Sequence, residues 1–537
     1  MVFEVKKRDL MGRIGKIKTK SGSIETPILL PVINPLKLTI PPSKMRSEFK
    51  VTSIITNAYI LRKKCYEKVV SQGIHNFLNF DGPIMTDSGA YQLLVYGEVD
   101  ISPEEVIGFQ EKIGSDICVF LDVPTGNTSN YSLAKKTVED TLKRAIQCIE
   151  IRSKENVLWV GPIQGGEFTE LVEYSAEQMG KLPFDIYAIG SPTQFLEQYN
   201  YSKIVEMIVN AKRHLPLNKP VHLFGAGHPM ILPLAVALGC DIFDSASYVL
   251  YAEGGRYITP RGTKRLSDLK ETLCLCPICS KYTPSEINSS DKNLKIKLLS
   301  EHNLYITLNE INNIKYAIRE GRLWEYIEMS CRSHPSIYEA FQTLKNYQDY
   351  LEEGTPTSKK RALLWLSEET ANRPEIKRHI AKIEYLKIPW GPKVLLILPE
   401  SKNKPSIRSR LHSQILKFIA EDPATLKNMQ IITLSKMFGV IPIELEEFYP
   451  LSQHLTQQTV SERQIQLIKA TLKGFIKKHG FTTIILLNDQ LQYGDAIKEF
   501  LASEEQLKMA EALKIFTFEK SDNNLLEKLK KIRNYIC

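Results

Sequence analysis

The chain has 537 residues, of which 43% are hydrophobic and 24% are charged. This composition is typical of folded globular proteins, excludes collagen-like and disordered chains, and at this length predicts about two to four domains. The net charge of +9 permits an anionic partner such as nucleic acid without requiring one. No segment has the apolar core of a signal peptide or the length of a membrane span, so we expect a cytoplasmic protein without membrane attachment.

The first part of the chain alternates between strand and helix patterns. Short alternating segments within the first 26 residues predict a small hairpin. Helix signals then separate eight apolar runs; one example is Ser102 followed by Pro103 and two acidic residues, and another is an apolar stripe from about residue 132 to 153. The runs span residues 28–32, 52–56, 83–86, 117–121, 157–161, 185–189, 221–224 and 240–243. This α/β pattern predicts a parallel sheet buried on both faces, and eight units favour a closed (β/α)8 TIM barrel over an open doubly wound sheet.

Polar residues and glycines follow the ends of these runs, where a (β/α)8 barrel carries its catalytic groups. They are Asn57, Asp87, Asp122, Gln164, Gly190, Gly225 and Asp244. One such aspartate is usually a helix cap, but three in one cavity repel each other, at a cost in free energy that a structural role does not explain. Two carboxylates facing a sugar suit displacement at its anomeric carbon, because one can attack while the other manages the proton of the leaving group.

The remaining polar groups at this end indicate a site for a flat ring. Asp122 and Gln164 offer hydrogen-bond donors and acceptors that match the edge of a purine-like base. Glycines such as Gly165 and Gly190 would let a ring approach the backbone closely. We therefore predict a nucleobase pocket near Asp87 and Asp244.

A cysteine cluster follows the barrel pattern. Cys274, Cys276 and Cys279 form a C-x-C-x2-C arrangement, and His302 lies 23 residues after the last of them. Three thiolates and one imidazole complete a tetrahedral zinc shell and leave no position open for water, so we predict one structural Zn²⁺ per chain. The other six cysteines are scattered singly, as expected for reduced thiols.

A second α/β pattern fills the C-terminal part of the chain. Residues 354–361 have the composition of a linker or exposed turn. Apolar runs at 394–398, 430–433, 483–487 and 514–517 alternate with helical segments, and residues 525–533 form a basic helical pattern. We therefore divide the chain into a catalytic domain with the zinc-binding insertion (1–350), a helical connection (351–390) and a smaller accessory α/β domain (391–537).

Together these motifs resemble the tRNA-guanine transglycosylase family, and specifically its archaeal branch, which acts in archaeosine synthesis. Residues 87–92 are similar to the catalytic D-S-G motif, and residues 162–166 are similar to the base-binding Q-G-G motif. Residues 187–190 and 243–248 and the cysteine cluster with its distal histidine match as well, over about residues 1–345. The resemblance implies a (β/α)8 barrel that exchanges guanine at position 15, in the D-arm of tRNA, for 7-cyano-7-deazaguanine.

The resemblance also implies roles for individual residues. Asp244 would be the nucleophile that captures the ribose, and Asp87 would handle the proton of the base. The reverse assignment stays open, because the D-S-G aspartate has also been described as the nucleophile. The groups implied in base binding are Ser88, Asp122, Gln164, Gly165 and the backbone around Ala188 and Gly190. Arg256, Arg261, Lys264 and Arg265 are placed to meet phosphates, although a solvated basic loop explains them equally well.

The expected partners are tRNA, guanine and 7-cyano-7-deazaguanine, in a homodimeric assembly. Archaeal members commonly end in a β-rich PUA domain that binds tRNA, and we find no such pattern at the end of this chain. Either a separate PUA-domain protein assists, or basic residues substitute, such as Arg408, Arg410, Lys477, Lys478 and Lys531. Residues 438–446 are similar to an accessory domain that archaeosine transglycosylases share with archaeosine synthases.

Two other functions are weighed against base exchange. One is an archaeosine-synthase-like paralogue, and the other is a non-catalytic tRNA-binding subunit of a transglycosylase complex. A lost nucleophile or lost zinc ligands would favour the first, but Asp87, Asp244 and the cysteine cluster are intact. The same intact aspartates argue against the non-catalytic subunit.

Overall fold

The computed structural model describes residues 2–90, 101–488, 493–503 and 514–519 together with Lys530. Tyr91 and Gln92 of the D-S-G segment, the basic segment 525–533 apart from Lys530, and therefore Lys531, lie outside the described residues. The chain divides into two compact units, Met1–Thr355 and Pro356–Cys537. Within the described part of the chain, no helix combines the length and the apolar character that a membrane span needs.

The first unit contains a closed barrel of eight parallel strands, in the spatial order β10-β11-β4-β5-β6-β7-β8-β9. The strands are β4 (Ile28–Ile33), β5 (Ile54–Asn57), β6 (Ile84–Asp87), β7 (Ile117–Val119), β8 (Leu158–Ile163), β9 (Ile186–Ile189), β10 (Val221–Leu223) and β11 (Ile242–Ser245). Each of them overlaps one of the eight apolar runs. The predicted (β/α)8 barrel is confirmed, and the open sheet is excluded because β4 pairs with β11 in register from Ile28↔Ile242.

Helices connect the strands and cover the barrel. They are α1 (Pro42–Ser47), α2 (Ala58–Gln72), α3 (Ile74–Leu78), α4 (Pro103–Ile113), α5 (Tyr131–Ile151), α6 (Thr169–Gly180), α7 (Thr193–Glu197), α8 (Tyr201–His214), α9 (Leu232–Ala237) and α10 (Ser247–Glu253). Helix α4 begins with the capping box that its sequence predicts: the Ser102 side chain accepts from the Glu105 backbone N–H, and Glu105 accepts from the Ser102 N–H. These two hydrogen bonds satisfy two backbone N–H groups that have no partner within the helix.

The N-terminal segment forms a three-stranded antiparallel sheet, which is one strand more than the predicted hairpin. Its strands are β1 (Phe3–Asp9), β2 (Gly12–Thr19) and β3 (Gly22–Thr26). Phe3, Ile17 and Ile24 share one apolar cluster with Ile117 and Leu158, which are the first residues of their barrel strands. The sheet therefore packs against the N-terminal end of the barrel, so the opposite end remains for a site.

After the barrel the first unit continues with a β-hairpin and further helices. These elements are β12 (Arg256–Thr259), β13 (Gly262–Arg265), α11 (Pro284–Ser289), α12 (Lys292–Glu320), α13 (Leu323–Ser330), α14 (Pro335–Gln342) and α15 (Gln348–Gly354). The cysteine cluster lies between β13 and α11, and His302 lies within α12. This arrangement is the insertion that the cysteine spacing predicted.

The second unit contains a five-stranded sheet of order β17-β16-β15-β19-β20, in which only the pair β16 and β17 is antiparallel. Its strands are β15 (Val394–Pro399), β16 (Met429–Ser435), β17 (Gly439–Pro442), β19 (Thr483–Asn488) and β20 (Lys514–Glu519), and a separate pair is β14 (Leu363–Leu364) with β18 (His454–Leu455). Its helices are α16 (Pro374–Tyr385), α17 (Arg410–Ala420), α18 (Pro423–Lys427), α19 (Glu462–His479) and α20 (Gly494–Ser503). Of the predicted helical connection 351–390, residues 356–390 belong to this unit and contain β14 and α16.

Candidate active site and metal centre

A cavity of about 850 Å³ opens at the C-terminal end of the barrel strands. This volume lies within the range of about 300–1,000 Å³ that small-molecule sites usually occupy. Asp87, Asp122, Gln164, Gly190 and Asp244 all line it. The barrel thus brings together residues from the ends of five different strands or from the loops that follow them.

Asp87 is the last residue of β6 and lies beside other carboxylates. Its Oδ2 accepts a hydrogen bond from Asn57 Nδ2 at 3.2 Å and one from the Gly89 N–H at 3.3 Å. Asn57 also caps helix α2, because its Oδ1 accepts from the Ile60 N–H at 2.9 Å. Burial, followed by the negative charges of Asp122 and Asp244, raises the pKa of Asp87 to about 7. A carboxyl group with this pKa can both give and take a proton near neutral pH.

Asp244 lies in β11, and only one of its two carboxylate oxygens is hydrogen-bonded among the described residues. Its Oδ1 accepts from His222 Nε2 at 2.9 Å and from the Gly225 N–H at 2.8 Å. Gly225 has a φ of +68°, a conformation that favours glycine. Among the described residues, Oδ2 of Asp244 has no hydrogen-bond partner. One oxygen is therefore anchored and the other is left for a ligand in the cavity.

Asp122 and Gln164 form a buried polar pair on the cavity wall. Gln164 Nε2 donates to Asp122 Oδ2 at 2.6 Å, and Gln164 Oε1 accepts from the Thr125 N–H at 3.0 Å and from Ser191 Oγ at 2.8 Å. These partners fix which end of the amide faces Asp122. Burial raises the pKa of Asp122 to about 6, against the opposing effect of the Gln164 hydrogen bond.

Packing within the protein requires glycine at positions 165 and 190. A Cβ at Gly190 would lie 2.3 Å from Gln164 Nε2, and one at Gly165 would lie 2.6 Å from the Val172 N atom. Gly190 therefore makes room for the amide that faces the cavity, whereas Gly165 makes room for helix α6. At Gly165, therefore, helix α6 occupies the space in which a bound ring was expected to approach the backbone.

The predicted base-binding residues divide into two groups. Asp122, Gln164 and Gly190 line the cavity. Ser88, Gly165 and Ala188 are buried and do not line it. Ser88 Oγ accepts from the Ala90 N–H at 3.3 Å and so stabilises the turn after Asp87, and Ala188 packs in the barrel interior.

Two histidines belong to the site although the sequence analysis did not select them. His222 is fully buried in β10 and contacts Asp244 directly. His228 lines the cavity, and burial lowers its pKa to about 4, so the ring is neutral. Its Nδ1 accepts from the Met230 N–H at 3.3 Å, which leaves Nε2–H to donate to Thr263 Oγ1 at 3.1 Å. A polar residue inside an otherwise apolar strand run was the available signal for His222.

Basic residues of the hairpin β12–β13 lie at the rim of the cavity. Arg256, Arg261 and Lys264 are exposed and line it, whereas Arg265 does not. The Arg256 guanidinium also lies 4.6 Å from the centroid of the Tyr251 ring. The rim thus offers cations beside a cavity whose floor carries three carboxylates.

The four predicted zinc ligands converge at one point. One ligand atom from each of Cys274, Cys276, Cys279 and His302 lies within 4.8 Å of all the others. The three sulfurs lie 3.6, 3.5 and 3.4 Å from His302 Nδ1. A tetrahedral ion with Zn–S of about 2.3 Å and Zn–N of about 2.0 Å separates sulfur and nitrogen by about 3.6 Å. The cluster therefore fits a single tetrahedral metal ion.

The histidine of this cluster is held from behind. Its Nε2 lies 2.9 Å from the Ile258 carbonyl oxygen, to which it donates, so Nδ1 carries the lone pair that faces the sulfurs. A backbone carbonyl on the second ring nitrogen is the usual partner of a metal-bound histidine. The donor set and its support can hold a metal ion.

Comparison with known proteins shows the family of the chain. Residues 9–336 match the family described as queuine tRNA-ribosyltransferase. The chain belongs to this family. Ribosyl transfer makes it a pentosyltransferase. Residues 376–532 match a domain of unknown function.

Several relatives of the tRNA-ribosyltransferase family carry the name tRNA-guanine(15) transglycosylase. The one from Methanocaldococcus jannaschii is 40% identical over 550 residues, which cover 99% of this chain and 81% of the relative. The one from Methanococcus aeolicus is 43% identical over 84% of this chain and 68% of its own length. The one from Methanobrevibacter smithii is 40% identical over 89% and 72%.

Proposed function

We propose that this protein exchanges guanine at position 15 of tRNA for 7-cyano-7-deazaguanine through a covalent ribosyl-aspartate intermediate. The observation that carries the proposal is the pair of unlike carboxylates on one cavity. Asp244 has an anchored Oδ1 and an Oδ2 without a partner among the described residues, whereas Asp87 has a pKa of about 7. One group suits attack on carbon, and the other suits proton transfer.

The first half of the proposed reaction forms the intermediate. Asp244 Oδ2 attacks C1′ of the ribose, the glycosidic C–N bond breaks, and its electron pair stays on the departing guanine. Asp87, protonated at the start, gives its proton to the base nitrogen. His222 and the Gly225 N–H hold Oδ1 throughout, so the attacking carboxylate keeps one orientation.

The second half runs the same steps in reverse with a different base. 7-Cyano-7-deazaguanine binds where guanine left, Asp87 takes the proton from its ring nitrogen, and that nitrogen attacks C1′. The bond between C1′ and Asp244 then breaks. The energy of the glycosidic bond is kept in the ester, so the exchange needs no nucleoside triphosphate.

The cavity wall supports binding of a purine-like base. Asp122 is an acceptor for N–H groups on the base edge, and Gln164 is fixed by its partners so that it presents a defined amide face. The target nucleotide has to leave its stack to reach this depth, at a cost of a few kcal/mol. Cations at Arg256, Arg261 and Lys264 are placed to contact the phosphates beside it.

Mapping the accepting nucleotide tests the proposal. The full chain is incubated with tRNA transcript and radiolabelled guanine without ATP, and the labelled position is found by nuclease digestion. We expect label at position 15, and its replacement on addition of 7-cyano-7-deazaguanine. Label at another position would refute the proposed site, and the absence of exchange would favour the non-catalytic subunit. The homodimer and the PUA-domain partner stay predictions.

We also propose that the Cys3His cluster holds zinc in a structural role. A filled four-ligand shell has no position for substrate, so the ion would supply folding free energy and no catalytic chemistry. Three of the ligands lie in the loop after β13 and the fourth lies in helix α12, so a bound ion would hold this loop against this helix.

Replacement of Cys276 by serine is expected to remove the metal. Purified wild-type protein should contain about one equivalent of zinc by plasma mass spectrometry after dialysis. The Cys276→Ser variant should contain well below one equivalent, because a neutral hydroxyl is a poor zinc ligand. Cys65→Ser is the matched control, since Cys65 is a free thiol away from the cluster. A full equivalent in the Cys276 variant would contradict the site.

A further inference from the structure

The net positive charge of the chain comes from one of its two units. Residues 1–355 contain 41 Lys and Arg and 41 Asp and Glu, whereas residues 356–537 contain 29 and 20. The whole net charge of +9 therefore belongs to the second unit. An excess on one unit is the electrostatic signature of a surface that binds a polyanion.

Two adjoining segments of that unit carry cations with almost no acidic residues among them. Residues 380–393 and 463–488 together contain eight Lys and Arg and a single acidic residue, Glu384. The first segment includes the end of α16 and the chain that leads into β15, and the second includes most of α19. Two backbone acceptors join them: the Glu384 carbonyl accepts from Lys478 Nζ, and the Lys393 carbonyl accepts from the Thr482 N–H at 2.9 Å.

Burial decides which side chains of the joining segment point outward. Leu386 and Ile388 pack against the apolar cluster that contains Phe475 and Phe481. The residues before, between and after them are turned away from the core. Tyr385 is 82% exposed and Trp390 is 49% exposed, and Lys387 is exposed between them.

We propose that this surface, formed by Lys382, Tyr385, Lys387, Trp390, Lys477 and Lys478, binds an unpaired stretch of tRNA. Bases stack on the two exposed rings, and the lysines contact the phosphates on either side. Exposed aromatic rings set among cations are what single-stranded nucleic acid binding requires, because every base has a face that can stack. The inference rests on the proposed function only in taking tRNA as the polyanion.

The aromatic residues are tested by equilibrium binding. The Kd of the full chain for tRNA transcript is measured by fluorescence anisotropy for wild type and for the Tyr385→Ala/Trp390→Ala variant. Loss of stacking is expected to raise Kd by about 5- to 150-fold per base. Phe448→Ala is the matched control, because Phe448 is an exposed ring of the same unit, at 65% exposure, outside the surface. Equal Kd changes in this control would overturn the proposal.

The lysines are tested by salt dependence. The slope of log Kd against log[KCl] should fall by about 0.7 for each phosphate of a single strand that the protein no longer neutralises. We expect a fall of about 1.4 in the Lys387→Ala/Lys477→Ala variant, because two cations are removed. We expect none in Lys417→Ala, which removes an exposed lysine of α17. An unchanged slope in the double variant would overturn the proposal.

Kinetics and assembly separate this surface from the chemistry. At saturating tRNA the kcat of base exchange should stay at the wild-type value in the aromatic variant, while KM for tRNA rises with Kd.

Intact tRNA affinity with an altered sedimentation coefficient in the aromatic variant would mean that the surface binds protein and would refute the RNA site. The binding measurement does not depend on base exchange. A loss of tRNA affinity in the variants would therefore support the surface even if the protein did not exchange bases. Unchanged melting temperatures exclude unfolding as the cause of that loss.

Discussion

Replacement of Asp244 by asparagine is expected to abolish the covalent adduct between the protein and tRNA. The amide oxygen can still accept from His222 and the Gly225 N–H, so the cavity should keep its shape, but a neutral amide cannot attack C1′. We expect base exchange to fall by at least about 10⁴-fold, as for other enzymes that lose a nucleophile. The adduct is measured with labelled tRNA on a denaturing gel, in reactions without a free base.

The binding of tRNA provides the control for this variant. Because Asp244→Asn changes one oxygen to nitrogen inside the cavity, its Kd for tRNA should stay within about threefold of wild type, which is less than one hydrogen bond contributes. An adduct of wild-type yield in Asp244→Asn, together with its loss in Asp87→Asn, would reverse the two assignments. Both outcomes are visible on one gel.

Replacement of Asp87 by asparagine is expected to lower base exchange by about 10²–10⁴-fold, the usual contribution of a general acid–base group. The wild-type rate of adduct formation should also fall as pH rises through about 7, since Asp87 has to be protonated to supply the departing base with a proton. The asparagine variant should lack this pH dependence. Single-turnover adduct formation between about pH 5.5 and 9, on either side of that pKa, measures both.

The same substitution should stabilise the free protein at high pH. The pKa of Asp87 is about 7 in the folded protein against 3.8 for the unperturbed group, so the unfolded carboxyl ionises first. The contribution of protonated Asp87 to the stability of the folded protein is fully present below about pH 4 and is lost as pH rises to about 7. The melting temperature of Asp87→Asn should therefore exceed that of wild type at about pH 8, by more than at about pH 5. A lower melting temperature of the variant at the higher pH would contradict the raised pKa.

The apolar runs predicted the barrel well because burial on both faces leaves few polar residues inside a strand. Strand ends were less accurate: the fourth run continues to Leu121, whereas β7 ends at Val119, so Asp122 lies in the following loop. The apolar pattern cannot show where a ladder stops, because Phe120 and Leu121 are buried beyond its end. The positions of the site aspartates on the chain were nonetheless sufficient to bring them to one cavity.

Side-chain direction and long-range contacts explain what the sequence analysis missed. Gly165 directly follows the lining residue Gln164 but packs against helix α6, and Ala188 lies two residues before the lining residue Gly190 but packs in the barrel interior. His222 lies within an apolar run and cannot be separated there from an ordinary core histidine, because its partner Asp244 is 22 residues away. His302 was predicted as a ligand despite its distance from the cysteines in the chain, because a tetrahedral zinc site with three cysteines needs a fourth ligand.

Asn303, the residue after the proposed metal ligand His302, connects the cysteine cluster to the strand that carries Asp244. Asn303 accepts from the Ile258 N–H at 2.8 Å and donates to the Tyr248 carbonyl at 3.2 Å. Tyr248 lies in α10, the helix that directly follows the strand of Asp244. An ion that binds only the folded cluster adds about 2.7 kcal/mol of stability at about 100 times its Kd. With zinc in the proposed structural role, the free zinc concentration would therefore set how stable the segment that follows Asp244 is, although the ion would not contact the reacting atoms.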